Sequence, residues 1–214
     1  MFPISQQTYL AMRQGAKVLE ADRYGDKVLR LTDGTFLKLF RRKRLISSAL
    51  LWPYAKRFAN NACKLEQLGI ACPKILNLYR LAEPLRDIVH YTPLPGLTLR
   101  QLRDEPAQCP KALFADFGVF MAMLHDKGIY FRSVHLGNVV LTPELKLGLI
   151  DIADLKTQAK PLSRALRLRN FQHMLRDSKD RAWLASAKYG DFAQSYCSTY
   201  THISAATINN LLHA

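Results

Sequence analysis

Cysteine, acidic side chains and long hydrophobic runs are all scarce in this chain. Its four cysteines, Cys63, Cys72, Cys109 and Cys197, form no C-x-x-C pair, which argues against a zinc site or a disulfide-dense secreted scaffold and fits a reducing cytosol. No stretch approaches the roughly 18 to 20 apolar residues that span a bilayer, and the segment from Met1 to Gly15 lacks the continuous apolar core of a signal peptide. The expectation is a cytoplasmic protein, soluble or held peripherally at the inner face of the membrane. There is no internal repeat and no low-complexity tract. Ten Gly and ten Pro among 214 residues exclude a collagen-like chain, and 49% apolar residues exclude disorder. Asp and Glu number 17 against 31 Lys and Arg, a net charge of +14. Such a balance favours a polyanionic partner, whether nucleic acid, anionic lipid or a phosphorylated substrate.

Three short strands are expected between Ala16 and Phe40, in AKVLEA, DKVLRL and TFLKLF, separated by the turn signals Asp22-Arg23-Tyr24-Gly25-Asp26 and Asp33-Gly34. Helical periodicity follows over residues 45 to 68, interrupted at Pro53 and ended by Gly69. ILNLYRL and DIVHY suggest two more strands before Pro93-Leu94-Pro95-Gly96 breaks the chain at a candidate hinge. Beyond it, residues 98 to 102 and 112 to 127 read as helices, the second with Phe114, Phe117, Phe120, Met121 and Leu124 on one broad face. NVVL and LGLIDI read as a hairpin, and helical patterns resume near Pro161. Strands first and helices later is an α+β order with segregated lobes. The expected division is 1–92 and 93–214.

The densest motif is Leu124-His125-Asp126-Lys127-Gly128-Ile129 running into Val134-His135-Leu136-Gly137-Asn138-Val139-Val140-Leu141, followed by Leu149-Ile150-Asp151-Ile152-Ala153-Asp154. Lys38 sits in a strand between Phe36 and Phe40, where an alternating chain places all three on one face. Together with the element order, these motifs resemble the protein kinase-like fold, in particular the bacterial lipopolysaccharide core heptose and Kdo kinases and related atypical small kinases. The resemblance covers roughly residues 16 to 155. It implies a small antiparallel-sheet N-lobe and a mostly helical C-lobe. It also implies that Lys38 holds the ATP phosphates, that Asn138 and Asp151 bind magnesium through hard oxygen ligands, and that the hinge at Tyr91 and Pro93 pairs with adenine through its main chain.

Three departures from the pattern bear on activity. The catalytic Asp position is Ser133, and a serine is no general base at neutral pH. Loss of such a base slows phosphoryl transfer, typically by about 10²- to 10⁴-fold, without forbidding it. His135 and Asp154 are accessory candidates, though His135 reads first as a residue that orders the loop by hydrogen bonds. Asn61 stands where the resemblance implies a Glu paired with the strand lysine. The phosphate-covering loop keeps one glycine, Gly25, so nucleotide affinity rests on the other groups.

The basic run Arg41-Arg42-Lys43-Arg44 precedes an apolar stretch that contains Trp52. It reads either as an interfacial anchor on anionic headgroups or as a solvated turn before a core helix. A second cluster, Arg164, Arg167 and Arg169 with Lys156 and Lys160, reads as a receiver of a phosphorylated glycolipid core or as a solvated helix face. The resemblance thus implies an ATP- and Mg²⁺-dependent phosphotransferase acting on a sugar hydroxyl of an anionic glycolipid. Ser133 and Asn61 support the alternative of a pseudokinase that serves as a regulatory or scaffold module. Nothing in the chain forms a nucleic-acid recognition motif.

Overall fold

Phe36–Arg41 (β4) alternates large residues so that a strand sorts them onto two faces. Leu37 and Leu39 are buried with Tyr9, Leu29, Leu31, Leu81 and Ile88 in one apolar cluster, which leaves Phe36, Lys38 and Phe40 to the opposite face. In the computed structural model, which describes residues 1–41 and 53–213, β4 is an inner strand of a six-stranded sheet. The other strands are β1 (Phe2–Ile4), β2 (Lys17–Asp22), β3 (Gly25–Arg30), β5 (Lys74–Leu81) and β6 (Arg86–Thr92), in the order β1-β5-β6-β4-β3-β2. All five strands expected from the sequence are present.

The expected antiparallel sheet is mixed at one edge, because β1 runs parallel to β5 with Phe2 opposite Tyr79. The chain can reach β2 from that far edge because Gln6–Arg13 forms a helix (α1) between them, capped by Ser5. Tyr9 is its one buried residue and joins the cluster under β4. The helix after Pro53, α2 (Tyr54–Gln67), buries Ala55, Phe58, Ala62 and Leu65 at spacings of three and four, one face of a helical period. The part of the expected helix before Pro53 lies outside the described residues.

The chain divides into two compact units, one of residues 1–94 with 152–154, the other of 95–151 with 155–214. The break thus falls after residue 94, where 92 was expected, and the short segment Ile152–Asp154 joins the first unit. In the second unit β7 (Leu97–Thr98) leads into α3 (Leu99–Asp104), followed by α4 (Leu113–Asp126) and β8 (Ile129–Phe131). The hairpin β9 (Val139–Leu141) and β10 (Leu147–Leu149) stands where NVVL and LGLIDI place it. A strand not foreseen, β11 (Leu155–Thr157), pairs antiparallel with β8. Four helices close the chain: α5 (Arg164–Met174), α6 (Ser178–Ala185), α7 (Phe192–Thr199) and α8 (Ala205–His213).

Two glycines are needed for close approach in this unit. Gly96 has φ +126°, and a Cβ there would strike the carbonyl of Leu141, so the Pro-Gly turn can lie against β9 only without a side chain. Gly118 on α4 meets the backbone of Phe192 on α7 in the same way. This lets Phe117 pack on Phe192 with ring centroids 5.2 Å apart. The fold is α+β, a sheet-based unit followed by a mostly helical one, in the element order implied for a kinase-like chain.

Candidate functional site

The segment between β8 and β9 is fixed at both ends by backbone carbonyls that find buried partners. The carbonyl of Phe131, the last residue of β8, accepts from the backbone N–H of Val134 at 3.1 Å and from the Asn170 side chain at 2.7 Å. Asn170 belongs to a buried chain of hydrogen bonds. Arg167 donates to the Tyr196 hydroxyl at 3.1 Å, the hydroxyl lies 2.9 Å from Nδ1 of His125, and Nε2 of His125 lies 3.1 Å from the Asn170 oxygen. Since the Asn170 nitrogen is committed to Phe131, its oxygen must accept, so His125 carries its proton on Nε2 and receives the Tyr196 hydroxyl at Nδ1. Burial, with Arg167 nearby, lowers the His125 pKa from 6.5 to about 3 and keeps the ring neutral.

Upon that base sits the loop. Asn138 ends a short 3₁₀ turn, Leu136–Asn138, and its side-chain nitrogen donates to the Ser133 carbonyl at 3.0 Å. Its backbone N–H donates to the His135 carbonyl at 2.8 Å, and its own carbonyl accepts from the N–H of Ile150 at 3.0 Å. Asn138 is therefore tied on one side to Ser133 and on the other to the residue before Asp151. With Nδ2 spent on Ser133, Oδ1 is the atom of that amide left to accept or to ligate. Asp151 has φ +53°, an uncommon left-handed conformation for a residue other than glycine, and is exposed. The structure brings Ser133, His135, Asn138 and Asp151 into one neighbourhood of the second unit.

His135 accepts the backbone N–H of Gly137 at Nδ1, 3.1 Å away. Burial and the Arg100 guanidinium lower its pKa, with the carboxylates of Asp180, Asp151 and Asp177 acting in the opposite sense. A neutral imidazole that accepts at Nδ1 has its proton on Nε2, so this ring offers a donor and is not set up as a base. Arg100 and Arg103, which the sequence reading passed over, share the carboxylate of Asp180, a side chain only 1% exposed, at 2.7 and 2.6 Å. Their signal was the i, i+3 arginine pair on a helix whose start is marked by Thr98 and Gln101, a capping box.

The first unit holds the remaining candidates. Lys38 is half-buried, its ammonium 5.9 Å from the ring centroids of both Phe40 and Phe58. Asn61, on α2, donates its side-chain N–H to the carbonyl of Ile152 at 2.6 Å. A carboxylate could not make that bond, which gives the amide a physical reason to stand where the resemblance implies Glu. Asp154 closes the 3₁₀ turn Ile152–Asp154. The Tyr91 ring is buried against Phe36 and Phe58 at 5.7 and 5.4 Å, and its backbone runs between β4 and β5, opposite Phe36 and Ile75. Pro93, beyond the sheet, brings a carbonyl but no N–H.

Gly25, with φ +109°, closes a tight turn in which Asp22 pairs with Gly25. Arg41, the last residue of β4, lies over the Tyr24 ring at 3.7 Å. Arg42, Lys43, Arg44 and Trp52 lie outside the described residues. The second basic cluster needs correction. Arg167 is fully buried, bonded to the Leu162 carbonyl and paired with Asp126 at 2.5 Å, whereas Arg164, Arg169, Lys156 and Lys160 are exposed. Helix α5 turns position 167 towards α4 and α7, a placement fixed by residues distant in sequence.

Among the described residues no group of three or more His, Cys, Asp or Glu side chains is placed to hold a metal ion, and no helix is long and apolar enough to cross a membrane. An amide oxygen and a carboxylate held in one neighbourhood fit magnesium, which takes one or two protein ligands and completes its shell with water and phosphate oxygens.

No protein-family model and no curated protein matches the chain. Solved structures do. The bifunctional kinase-methyltransferase WbdD matches with a TM-score of 0.46 and 16% identity, over 84% of this chain and 40% of that one. WbdD with the kinase inhibitor LY294002 gives 0.44 and 16%, over 88% and 41%. A further WbdD structure gives 0.44 and 15%, again over 88% and 41%. The chain thus spans about two fifths of the length of the structures it matches. A likeness this distant carries no information about chemistry.

Proposed function

We propose that the protein is an ATP-dependent phosphotransferase that uses magnesium and acts on a sugar hydroxyl of an anionic glycolipid, in the manner of lipopolysaccharide core sugar kinases. The observation that carries this reading is the tether from Ser133 through Asn138 to Ile150, which secures Asn138 beside the residue that precedes Asp151; an amide oxygen and a carboxylate are hard ligands of the kind magnesium takes. Magnesium, when bound, would neutralise charge on the transferring phosphoryl group. Asn138 and Asp151 would hold the metal, Lys38 the phosphates, and the Nε2 proton of His135 would be available to a developing negative charge. Tyr91 and Pro93 would line the base, Pro93 offering a carbonyl to an exocyclic amine. The sugar acceptor and any attachment to an anionic membrane surface rest on the resemblance and on the charge of +14.

A second reading, the pseudokinase, is favoured by Ser133 together with the tautomer of His135, because neither group then removes a proton from the acceptor. The two readings part on turnover and share nucleotide binding. Thermal unfolding with and without ATP and magnesium, beside Asp151→Ala, tests the shared part. A ligand at about 100 times its dissociation constant stabilises by roughly 2.7 kcal/mol. A magnesium-dependent shift that Asp151→Ala abolishes is expected. No shift at millimolar nucleotide would remove both the phosphotransferase and the nucleotide-binding scaffold. Slow phosphate transfer to a core glycolipid then decides for the enzyme.

A further inference from the structure

The second unit contains a cavity of about 480 Å³, within the size range of small-molecule sites. Its walls come from the ribbon of β8 and β11 and from helix α5. In the ribbon, Ile129, Phe131 and Leu155 point into the core, which leaves Tyr130 and its cross-strand partner Lys156 on the outer face. On α5, residues 167, 170, 171 and 174 are buried. Arg169 and His173, four apart on the other side, line the cavity with Arg132 from the loop after β8. Tyr130 and His173 meet edge to face, their ring centroids 6.2 Å apart.

The cations of this cavity differ from the three aspartate-paired arginines of the unit. Arg100, Arg103 and Arg167 are each neutralised by an aspartate. The side chains of Arg132, Lys156 and Arg169 make no ion pair or hydrogen bond among the described residues, and none of the residues lining the cavity is acidic. Three cations gathered without a counter-charge repel one another, and a dianion entering among them relieves that repulsion while its oxygens take up their donors. Tyr130 supplies an aromatic wall for a hydroxylated ring, and Gln158, whose Nε2 donates to the carbonyls of Lys160 and Pro161, keeps Oε1 to accept a ring hydroxyl.

We propose that this cavity binds a phosphorylated small molecule, a sugar phosphomonoester, through Arg132, Lys156 and Arg169. The site is separate from Asn138 and Asp151, and its existence does not depend on the phosphotransferase reading. Calorimetric titration with glucose 6-phosphate, glucose and sulfate tests it, using the full chain and the double variant Lys156→Gln/Arg169→Gln. Both substituted side chains are exposed, so the variant keeps the fold, which its unfolding curve without ligand checks. Binding of glucose 6-phosphate without binding of glucose is expected, weakened about tenfold or more for each cation removed. Asp151→Ala leaves it unchanged, which separates this site from the failure of nucleotide binding. No heat with glucose 6-phosphate, equal affinity in the double variant, or equal affinity for sulfate would each overturn the proposal.

Discussion

Beneath Phe131 the second unit holds Arg167, Tyr196, His125 and Asn170 in one chain of hydrogen bonds, each at most 1% exposed, whereas the loop beyond Phe131 holds Ser133 and His135 only half-buried. Both networks end on backbone carbonyls of the same short stretch. The buried one spends its polar atoms on one another, so each partner removed leaves a desolvated group behind. The loop is shaped by bonds between side chains and its own backbone, from Asn138 to the Ser133 carbonyl and from the Gly137 N–H to His135, and leaves Asn138 Oδ1 to accept or to ligate. The first is expected to govern folding and the second function, and substitutions on either side of Phe131 test that separation.

The largest effect is expected at Arg167. Its guanidinium donates to Leu162, Tyr196 and Asp126 and lies over the Tyr200 ring at 3.5 Å. Arg167→Met keeps much of the volume and removes every donor. It should cost about 3 kcal/mol or more, read as a lower midpoint in urea. A variant as stable as the parent would show that the buried chain is not what holds the unit together.

Next comes acid. The unfolded chain protonates His125 near 6.5, while the folded protein holds it neutral down to about 3. The depressed value means that this stability is fully present above 6.5 and is lost as pH falls, by roughly 1.4 kcal/mol for each pH unit below it. Imidazole resonances followed by NMR should show His125 unprotonated at pH values where an ordinary histidine is charged. A titration midpoint near 6.5 would contradict the network.

How much of this was legible in sequence depended on the range of the contacts involved. The strands around Lys38 were readable because alternation and turn residues are local signals. So was the hairpin that brings Asn138 near Ile150, since the two runs flank one short turn. The parallel edge β1 was not, because three residues carry no period and pair with a strand more than seventy positions away. Arg167 and Arg169 looked alike in composition. The difference between them came from α4 and α7, which accept one side of α5 and leave the other to the cavity. The segment 152–154 was hidden for the same reason, since its place depends on Asn61.

The smallest expected effect sharpens the comparison from the first unit. Asn61 ties α2 to Ile152 with a bond of 2.6 Å, donated by an amide to a carbonyl. Asn61→Asp is nearly isosteric, yet its carboxylate cannot donate and would set two oxygens against each other. The loss should be about 1 to 2 kcal/mol, a shift of a few degrees in the melting temperature for a chain of this size. If the bond serves only to secure α2, the magnesium-dependent response to ATP survives Asn61→Asp once corrected for the lower baseline. Loss of that response together with the bond would instead place Asn61 among the residues that position Asp151, and the functional half of the comparison would then extend into the first unit.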